Sequence, residues 1–174
     1  NSDNGNDTID GGAGHDTIYA GEGDDLILGG TGNDTANGHT GNDTLDGGLG
    51  DDYIRGSWGN DTLYTGSTGE GNDSIWGGWG DDRFIFENGF GNDTIDGDTE
   101  AEVAGDTIDL TQVTDNLTID LSNNAPGVGT ISDGTSTATF THIEHIELGS
   151  GTDTIRLADG SGTDRVTGFT APTD

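Results

Sequence analysis

The sequence contains no cysteine and no methionine, and only four of its 174 residues are lysine or arginine. The lack of cysteine excludes a disulfide framework and a thiolate metal site. Nucleic acids and anionic membranes are poor candidates for partners, because phosphate groups are bound by clusters of lysine and arginine. No apolar run approaches the length of a transmembrane helix, so we expect no membrane span.

Apolar residues are also scarce. They make up 27% of the chain, whereas 34 acidic residues give it a net charge of -30. Little apolar surface combined with a high net charge is typical of a disordered chain. The same composition permits a fold if bound cations supply the missing positive charge. The length fits one ordinary domain.

A nine-residue repeat occupies residues 2–96 and occurs ten times. The fourth residue of every unit is glycine, the sixth is aspartate and the eighth is apolar, and a low-complexity linker would have no reason to keep three positions in phase. Residues 65–67 interrupt the repeat after its seventh unit, and residues 86–87 after its ninth. Units begin at Ser2, Gly11, Ala20, Gly29, Gly38, Gly47, Gly56, Thr68, Gly77 and Asn88. The first unit is partial, and the chain begins at Asn1 in the middle of a repeat, as expected of a piece of a larger protein.

Each position of the repeat has a physical role. Glycine permits positive φ, so the first six residues can turn tightly with their carbonyl groups directed at an ion. Aspartate supplies the hard anionic oxygen that calcium prefers. The last three residues predict a short strand with the eighth side chain inward and its neighbours outward. One such strand buries a single apolar residue, so stability requires that the units stack.

This pattern resembles the RTX (repeats-in-toxin) nonapeptide, and the resemblance covers residues 2–96. It implies an all-β fold, a right-handed parallel β-roll in which two units make one coil. It also implies calcium between the turns of successive same-side units, so residues 11–16 would pair with residues 29–34, and residues 38–43 with residues 56–61. Ten turns leave eight such gaps, and we expect up to about eight calcium ions in this region.

The ligands implied by the resemblance are aspartate carboxylates and loop carbonyls. The candidates are Asp7, Asp16, Asp25, Asp34, Asp43, Asp52, Asp61, Asp73, Asp82 and Asp93, with Gly12, Gly14, Gly21, Gly23, Gly30, Gly32, Gly41, Gly48, Gly50, Gly59, Gly69, Gly71, Gly78, Gly80 and Gly91. Asp3, His39 and Ser57 replace the second-position glycine, and we expect weaker or distorted gaps there. The insertion at residues 65–67 leaves the partner of Asp73 open.

Residues 97–174 lose the nine-residue period but keep the alternation of strands. Alternating stretches lie at residues 107–110, 117–121, 129–131, 138–140 and 143–148. Repeat-like segments return at residues 149–155 and 160–166, where Asp153 and Asp164 are further candidate calcium ligands. We interpret this half as an irregular β-solenoid continuation that caps the roll. A separate small β-sandwich is the alternative.

Other motifs are explained more simply by structure. His142 and His145 suggest a zinc pair, but their odd spacing on a strand places them on opposite faces. The repeat also contains N-glycosylation sequons, Asn-Asp-Thr or Asn-Asp-Ser, at Asn6, Asn33, Asn42, Asn60, Asn72 and Asn92. The positions of these residues in the turns and strands already explain the triplet. No GxSxG elbow, P-loop or nucleophilic cysteine is present, and we expect no enzyme in this chain.

Tryptophan is the one residue type that the repeat leaves unexplained. Trp58 and Trp79 share the third position of same-side units and should project from adjacent turns, and Arg55 and Trp76 could form a cation–π contact. These residues could bind a sugar ring or a partner protein; alternatively, they shield glycine-rich turns or face another part of the parent protein.

The sequence thus predicts a calcium-binding structural module of a secreted or cell-surface, bacterial protein. The resemblance implies type I secretion cargo that is disordered without calcium and folds outside the cell. The alternatives are an adhesin or a glycan- or partner-binding module that uses the tryptophans, and the non-catalytic appendage of a secreted enzyme.

Overall fold

The structure, a computed structural model, describes residues 4–66, 71–98, 103–122, 125, 127–157 and 165–167. These residues form β-strands, and no helix occurs among them, so no helix there could cross a membrane. The strands are β1 (Thr8–Asp10), β2 (Thr17–Glu22), β3 (Leu26–Thr31), β4 (Thr35–Thr40), β5 (Thr44–Leu49), β6 (Tyr53–Trp58), β7 (Thr62–Tyr64), β8 (Ser74–Trp79), β9 (Arg83–Ile85), β10 (Thr94–Asp96), β11 (Thr107–Asp109), β12 (Thr118–Leu121), β13 (Gly129–Ser132), β14 (Thr137–Thr141), β15 (His145–Glu147), β16 (Thr154–Leu157) and β17 (Arg165–Thr167).

Successive strands of the repeat region alternate between two sheets. The first sheet has the order β1-β3-β5-β7-β9-β11-β15-β17, and the second has the order β16-β12-β13-β14-β10-β8-β6-β4-β2. Neighbouring repeat strands are parallel, and Ile9 lies opposite Ile27, 18 residues further on. Two nine-residue units therefore complete one coil, and the repeats form the predicted parallel β-solenoid of about five turns.

Six strands are longer than the three-residue strands predicted from the repeat. Strands β2 to β6 and β8 each have six residues, because pairing continues into the first three positions of the following unit. In β2, Ala20 is fully buried and Gly21 pairs with His39 of β4. The turn that remains between β2 and β3 is only residues 23–25, the fourth to sixth positions.

The eighth-position residues form the continuous inward ladder that the repeat predicts. They are at most 4% exposed from Ile18 onwards, and Ile9, at the open end, is partly buried. The buried members are Ile18, Ile27, Ala36, Leu45, Ile54, Leu63, Ile75, Phe84 and Ile95. Stacking thus gives one narrow apolar core shared by all coils.

The insertion at residues 65–67 does not shift the coils. Tyr53 of β6 pairs with Ser74 of β8, and Asp73 keeps aspartate partners on both sides. On the other sheet, Thr65 is buried and donates its backbone N–H to the carbonyl of Ile85. The partner of Asp73, left open by the sequence, is therefore Asp52 in one coil and Asp93 in the next.

Both sheets continue beyond Asp96. Strand β11 pairs in parallel with β9 and β15, and β14 pairs in parallel with β10. In the second sheet, the strands β12, β13 and β14 form an antiparallel ribbon, in which β13 pairs with both β12 and β14. The sequence did not predict this reversal. The division at residue 96 and the capping role of residues 97–174 remain predictions.

Candidate metal centre

The turns of successive same-side units lie directly on top of one another. The fourth-position glycines have positive φ values, from 84° at Gly91 to 142° at Gly71. A Cβ atom at Gly32 would overlap with the carbonyl oxygen of Gly14 in the preceding turn, and one at Gly50 would overlap with that of Gly32. The fourth-position carbonyls therefore face the gaps between turns, and only glycine allows this approach.

The sixth-position aspartates connect neighbouring turns through one carboxylate oxygen. The backbone N–H of Asp16 donates to Oδ1 of Asp34, and the N–H of Asp34 donates to Oδ1 of Asp52. The same bond joins every successive same-side pair from Asp7 to Asp93, with N···O distances of 2.6–2.9 Å. Each side of the solenoid thus carries a ladder of carboxylates, one for each coil.

The other carboxylate oxygen is buried without a hydrogen-bond partner. This is so for Oδ2 of Asp16, Asp25, Asp34, Asp43, Asp52 and Asp61. In the unit that contains Asp43, a Cβ atom at Gly38 would overlap with this oxygen. A buried anionic oxygen without a donor is costly unless a cation neutralises it, and such an oxygen is the ligand type that calcium prefers. The turns therefore fit calcium.

Burial also changes the acidity of these groups. It raises the pKa of Asp43 and of Asp52 from 3.8 to about 6, and that of Asp61 to about 8. The backbone hydrogen bond to each carboxylate opposes the rise in pKa, whereas the negative charge of neighbouring aspartates adds to it. The ionised form is thus disfavoured in the folded chain unless a positive charge lies beside it.

Carboxylates alone do not complete a calcium site. Among the described residues there is no group of three or more histidine, aspartate and glutamate side chains that could hold a metal ion. Calcium takes about six to eight oxygen ligands, so a calcium site in these turns would also need backbone carbonyls, such as those of Gly14 and Gly32. The second-position carbonyl of Gly12 already accepts a hydrogen bond from the N–H of Thr31. Gly69 lies outside the described residues.

The substitutions at the second position leave the stack intact. His39 and Ser57 adopt positive φ values of 84° and 91°, a conformation that favours glycine. Both remain in register with Gly21 and Gly78, and the bond from Asp43 to Asp61 between these coils persists. Asp3 lies outside the described residues. Weaker calcium binding at these gaps remains a prediction.

An eleventh aspartate, which we did not identify from the sequence, extends one ladder. Oδ1 of Asp106 accepts the N–H of Asp82 at 2.7 Å, and the N–H of Asp106 donates to Oε2 of Glu144 at 2.9 Å. Asp106 is fully buried. The sequence signal for this aspartate is the triplet Asp-Thr-Ile at residues 106–108, which also occurs at residues 16–18. The triplet is hard to recognise because it lies outside the nine-residue period and has Ala104 in place of the fourth-position glycine.

Asp153 occupies a similar place near the far end. Its Oδ1 accepts the N–H of Leu117 at 3.0 Å, in the manner of the repeat aspartates. In the repeats, the residue that donates this N–H is itself an aspartate. Here it is Leu117, so the pair offers one carboxylate instead of two. Calcium binding at Asp153 remains a prediction, and Asp164 lies outside the described residues.

The fifth-position side chains form a second ladder that runs in the opposite direction. Oδ1 of Asn42 accepts the N–H of Asn60, and Oδ1 of Asn60 accepts the N–H of Asp81, at 2.9 and 3.1 Å. Five of the six sequon asparagines accept such a bond, namely Asn6, Asn42, Asn60, Asn72 and Asn92. Turn geometry therefore accounts for these asparagines.

The histidine and tryptophan predictions have mixed outcomes. His142 contacts Asp96 and His145 contacts the carbonyl of Ala104, so the two histidines have separate partners. The tryptophans Trp58 and Trp79 do project side by side, with ring centroids 6.0 Å apart. Arg55 and Trp76 are register partners, but no cation–π contact joins them in the described part of the chain, since the Trp76 ring packs on Tyr53 at 4.5 Å.

These features define a class of protein, the parallel β-solenoids whose stacked glycine and aspartate turns fit calcium. The family model for the RTX calcium-binding nonapeptide repeat (4 copies) matches residues 1–36, 37–68 and 65–95. These matches cover more than half of the 174 residues, and the chain belongs to this family. No curated protein matches the chain. The repeats identify a calcium-binding module of a larger protein, in a family typical of secreted bacterial proteins.

Proposed function

We propose that this chain is a structural module that folds when calcium binds outside the cell. The observation that supports the proposal is the row of buried Oδ2 atoms, repeated coil after coil without a hydrogen-bond partner in Asp16, Asp25, Asp34, Asp43, Asp52 and Asp61. From Asp25 onwards, each of these aspartates already uses Oδ1 to accept the backbone N–H of the preceding same-side aspartate. The remaining oxygen is thus available to a cation in the gap between turns.

Electrostatic repulsion explains why folding would depend on the metal. Neighbouring coils bring carboxylates to the spacing of paired strands, about 5 Å, where like charges repel strongly in a buried setting. With about eight divalent cations bound, about 16 of the 30 excess negative charges would be offset. Because the unfolded chain lacks these paired turns, the free energy of calcium binding becomes free energy of folding.

The residues have distinct roles in this proposal. The sixth-position aspartates of two successive same-side turns supply anionic oxygens, and the fourth-position carbonyls supply neutral ones. Bound calcium contributes charge neutralisation and a fixed arrangement of oxygens. The eighth-position ladder then buries its apolar side chains once the turns are held together. No step of this process requires catalysis, and we propose a structural role rather than an enzymatic one.

Dependence on calcium suits a protein exported from the cell. A chain that stays open in a calcium-poor cytoplasm passes a type I secretion channel, and it folds on reaching calcium outside. We therefore propose a secreted or cell-surface location for the parent protein. The composition supports this reading, since 27% apolar residues and a net charge of -30 are typical of a chain that does not fold unaided.

A calcium titration tests the proposal directly. Far-UV circular dichroism of the purified chain should show disorder in excess chelator and β-structure after calcium is added. Isothermal titration calorimetry should give about eight ions per chain. Magnesium serves as the control, because its small octahedral shell suits these carbonyl-rich gaps poorly. An ordered spectrum that persists in excess chelator would refute metal-dependent folding.

A second candidate function is favoured by the exposed rings of Trp58 and Trp79, which are 54% and 45% accessible. They support a binding role, as in an adhesin, on top of the structural one. The third proposal, a non-catalytic appendage of a secreted enzyme, depends on sequence outside this chain. Sequencing the gene on both sides would decide it, since a catalytic domain in the same polypeptide is required.

A further inference from the structure

Aromatic side chains are concentrated on the outer surface of the second sheet. The strands β6 and β8 of this sheet carry Trp58, Trp76 and Trp79, which are all three tryptophans of the chain, together with Tyr53. We call Trp58, Trp79 and the adjacent His39 the tryptophan face. On the first sheet, the third positions, which correspond to Trp58 and Trp79, hold Ala13, Thr31 and Leu49.

The rings of the tryptophan face form a row across three coils. Thr40, Trp58 and Trp79 are successive register partners on β4, β6 and β8. The two indole rings lie 6.0 Å apart at an interplanar angle of 49°, and the His39 ring meets Trp58 edge-on at 6.3 Å. Because the rings are tilted rather than stacked flat, each keeps a large part of its surface open to solvent.

Polar side chains surround a shallow pocket beside this row. The pocket has a volume of about 260 Å³ and is lined by Asn37, His39, Arg55, Ser57 and Trp58. Ser57 donates its hydroxyl to Oδ1 of Asn37 at 3.1 Å. Amide, hydroxyl, imidazole and guanidinium groups therefore lie next to an exposed indole, and both donors and acceptors are present.

This combination matches the chemistry of a sugar ring. A pyranose has a patch of C–H groups on its faces and hydroxyl groups around its rim, so it can stack on an indole while its hydroxyls meet nearby polar groups. Adjacent exposed apolar rings that are bordered by polar groups often mark an interaction site. We propose that the tryptophan face binds a neutral glycan, with a pyranose ring on Trp58 and the chain continuing towards Trp79.

The charge of the protein favours a neutral ligand over the alternatives. Even when about eight calcium ions offset about 16 of its 30 excess negative charges, the chain keeps a negative net charge that repels a second copy and any polyanion. Arg55 is the one cationic residue that lines the pocket. A neutral saccharide carries no such penalty.

The proposal rests on the calcium-dependent fold, since Trp58 and Trp79 are 21 residues apart and meet through stacking of β6 on β8. The test therefore uses the whole chain in saturating calcium, with its fold checked first by circular dichroism. Tryptophan fluorescence is followed during titration with neutral hexasaccharides of glucose, mannose, galactose and N-acetylglucosamine, and with an anionic hexasaccharide of galacturonate. At least one neutral sugar should give a saturable change, and galacturonate should give none.

Matched substitutions assign the site. Binding to the variants is measured by isothermal titration calorimetry, because each substitution removes a fluorescent ring. Trp58→Ala and Trp79→Ala should each weaken binding by about tenfold or more, whereas Leu49→Ala, at the corresponding third position of the first sheet, should leave it unchanged. The proposal is overturned if a correctly folded chain responds to none of the neutral sugars, or if galacturonate binds more tightly. Self-association that is lost in Trp58→Ala would also overturn it, in favour of a second copy as the occupant. None of these results depends on whether the chain folds without calcium.

Discussion

At the scale of single residues, each repeat aspartate uses its two carboxylate oxygens differently. Oδ1 of Asp52 accepts the N–H of Asp34, while Oδ2 of Asp52 is buried without a hydrogen-bond partner. Its neighbour Asp51 is exposed and accepts N–H groups of Asn72 from the next coil. Two adjacent aspartates of equal charge thus have separable functions, one directed at the proposed metal and one at the turn.

Asp52→Asn tests this division. Asparagine keeps the acceptor for Asp34 but replaces the free oxygen with an N–H₂ group, which cannot ligate calcium. In saturating calcium we expect the free energy of unfolding to fall by about 1–3 kcal/mol, because the gap loses an anionic ligand. Urea unfolding in saturating calcium, followed by circular dichroism, measures this loss, since the chain is not expected to fold in chelator. Asp51→Asn makes the same charge change and should shift stability by about 0.5 kcal/mol or less; equal effects would mean that bulk charge alone matters.

Two fourth-position glycines separate conformational strain from close packing. Gly14 and Gly32 have similar φ values of 129° and 122°, but a Cβ atom at Gly14 meets open space and one at Gly32 meets the carbonyl of Gly14. Gly14→Ala should therefore cost about 1–2 kcal/mol for the backbone alone. Gly32→Ala should cost at least about 2 kcal/mol more, because the turns have to separate. Chemical unfolding in saturating calcium compares them, and similar losses would show that the turns are not tightly stacked.

At the scale of strands and turns, the second insertion turns out to be part of the core. Phe86 is fully buried and its ring contacts that of Phe90 at 5.1 Å. Its backbone N–H donates to the carbonyl of Asp109, which joins the repeats to β11. The repeat alignment treats residues 86–87 as additional, yet Phe86 fills the apolar core where the nine-residue period is interrupted.

Phe86→Ala measures how much this junction contributes. Removal of a fully buried phenylalanine typically costs about 3–5 kcal/mol, through lost burial and the cavity that remains. Leu28→Ala removes an apolar side chain that is 36% exposed on the first sheet and should cost less than about 1 kcal/mol. Thermal unfolding of both variants in the same calcium buffer gives the comparison. If Phe86→Ala is no more harmful than the control, the junction does not stabilise the fold.

The nine-residue period and the alternation of apolar residues predicted some features of the structure, but not those that depend on long-range pairing. The inward ladder and the pairing of same-side turns follow from the sequence, because every unit between Ile18 and Ile95 meets the same neighbours. The alternating stretches of the second half predicted β11 to β15, but not the antiparallel order of β12, β13 and β14. Alternation indicates which face of a strand is buried, whereas its partner depends on long-range closure that no local pattern encodes. Asp106 was missed for the same reason, since its ladder is continuous in space and interrupted in sequence.

At the scale of the whole molecule, the repeats form an open stack of strands whose last strand in each sheet has an edge to be covered. The last repeat strands β9 and β10 are covered by β11 and β14, which pair with them in parallel. Residues beyond the repeats also complete the turns, because Thr107 and Thr139 donate their N–H groups to the carbonyls of Asp82 and Asp93. An uncovered edge of this kind would offer unpaired backbone groups to another chain. We therefore propose that residues 97–174 cap the roll, through the strands β11 to β16.

Two shortened chains test the cap. A chain that ends at residue 96 loses the strands over β9 and β10 and also the acceptor Oδ1 of Asp106 for the N–H of Asp82. We expect it to need more calcium to reach the folded state and to associate through its open edge, as measured by calcium titration and sedimentation velocity. A chain that ends at residue 157 retains β11 to β16 and should match the full chain in both measurements. If the chain ending at residue 96 folds at the same calcium concentration and stays monomeric, the repeats close their own end and the second half has a different purpose.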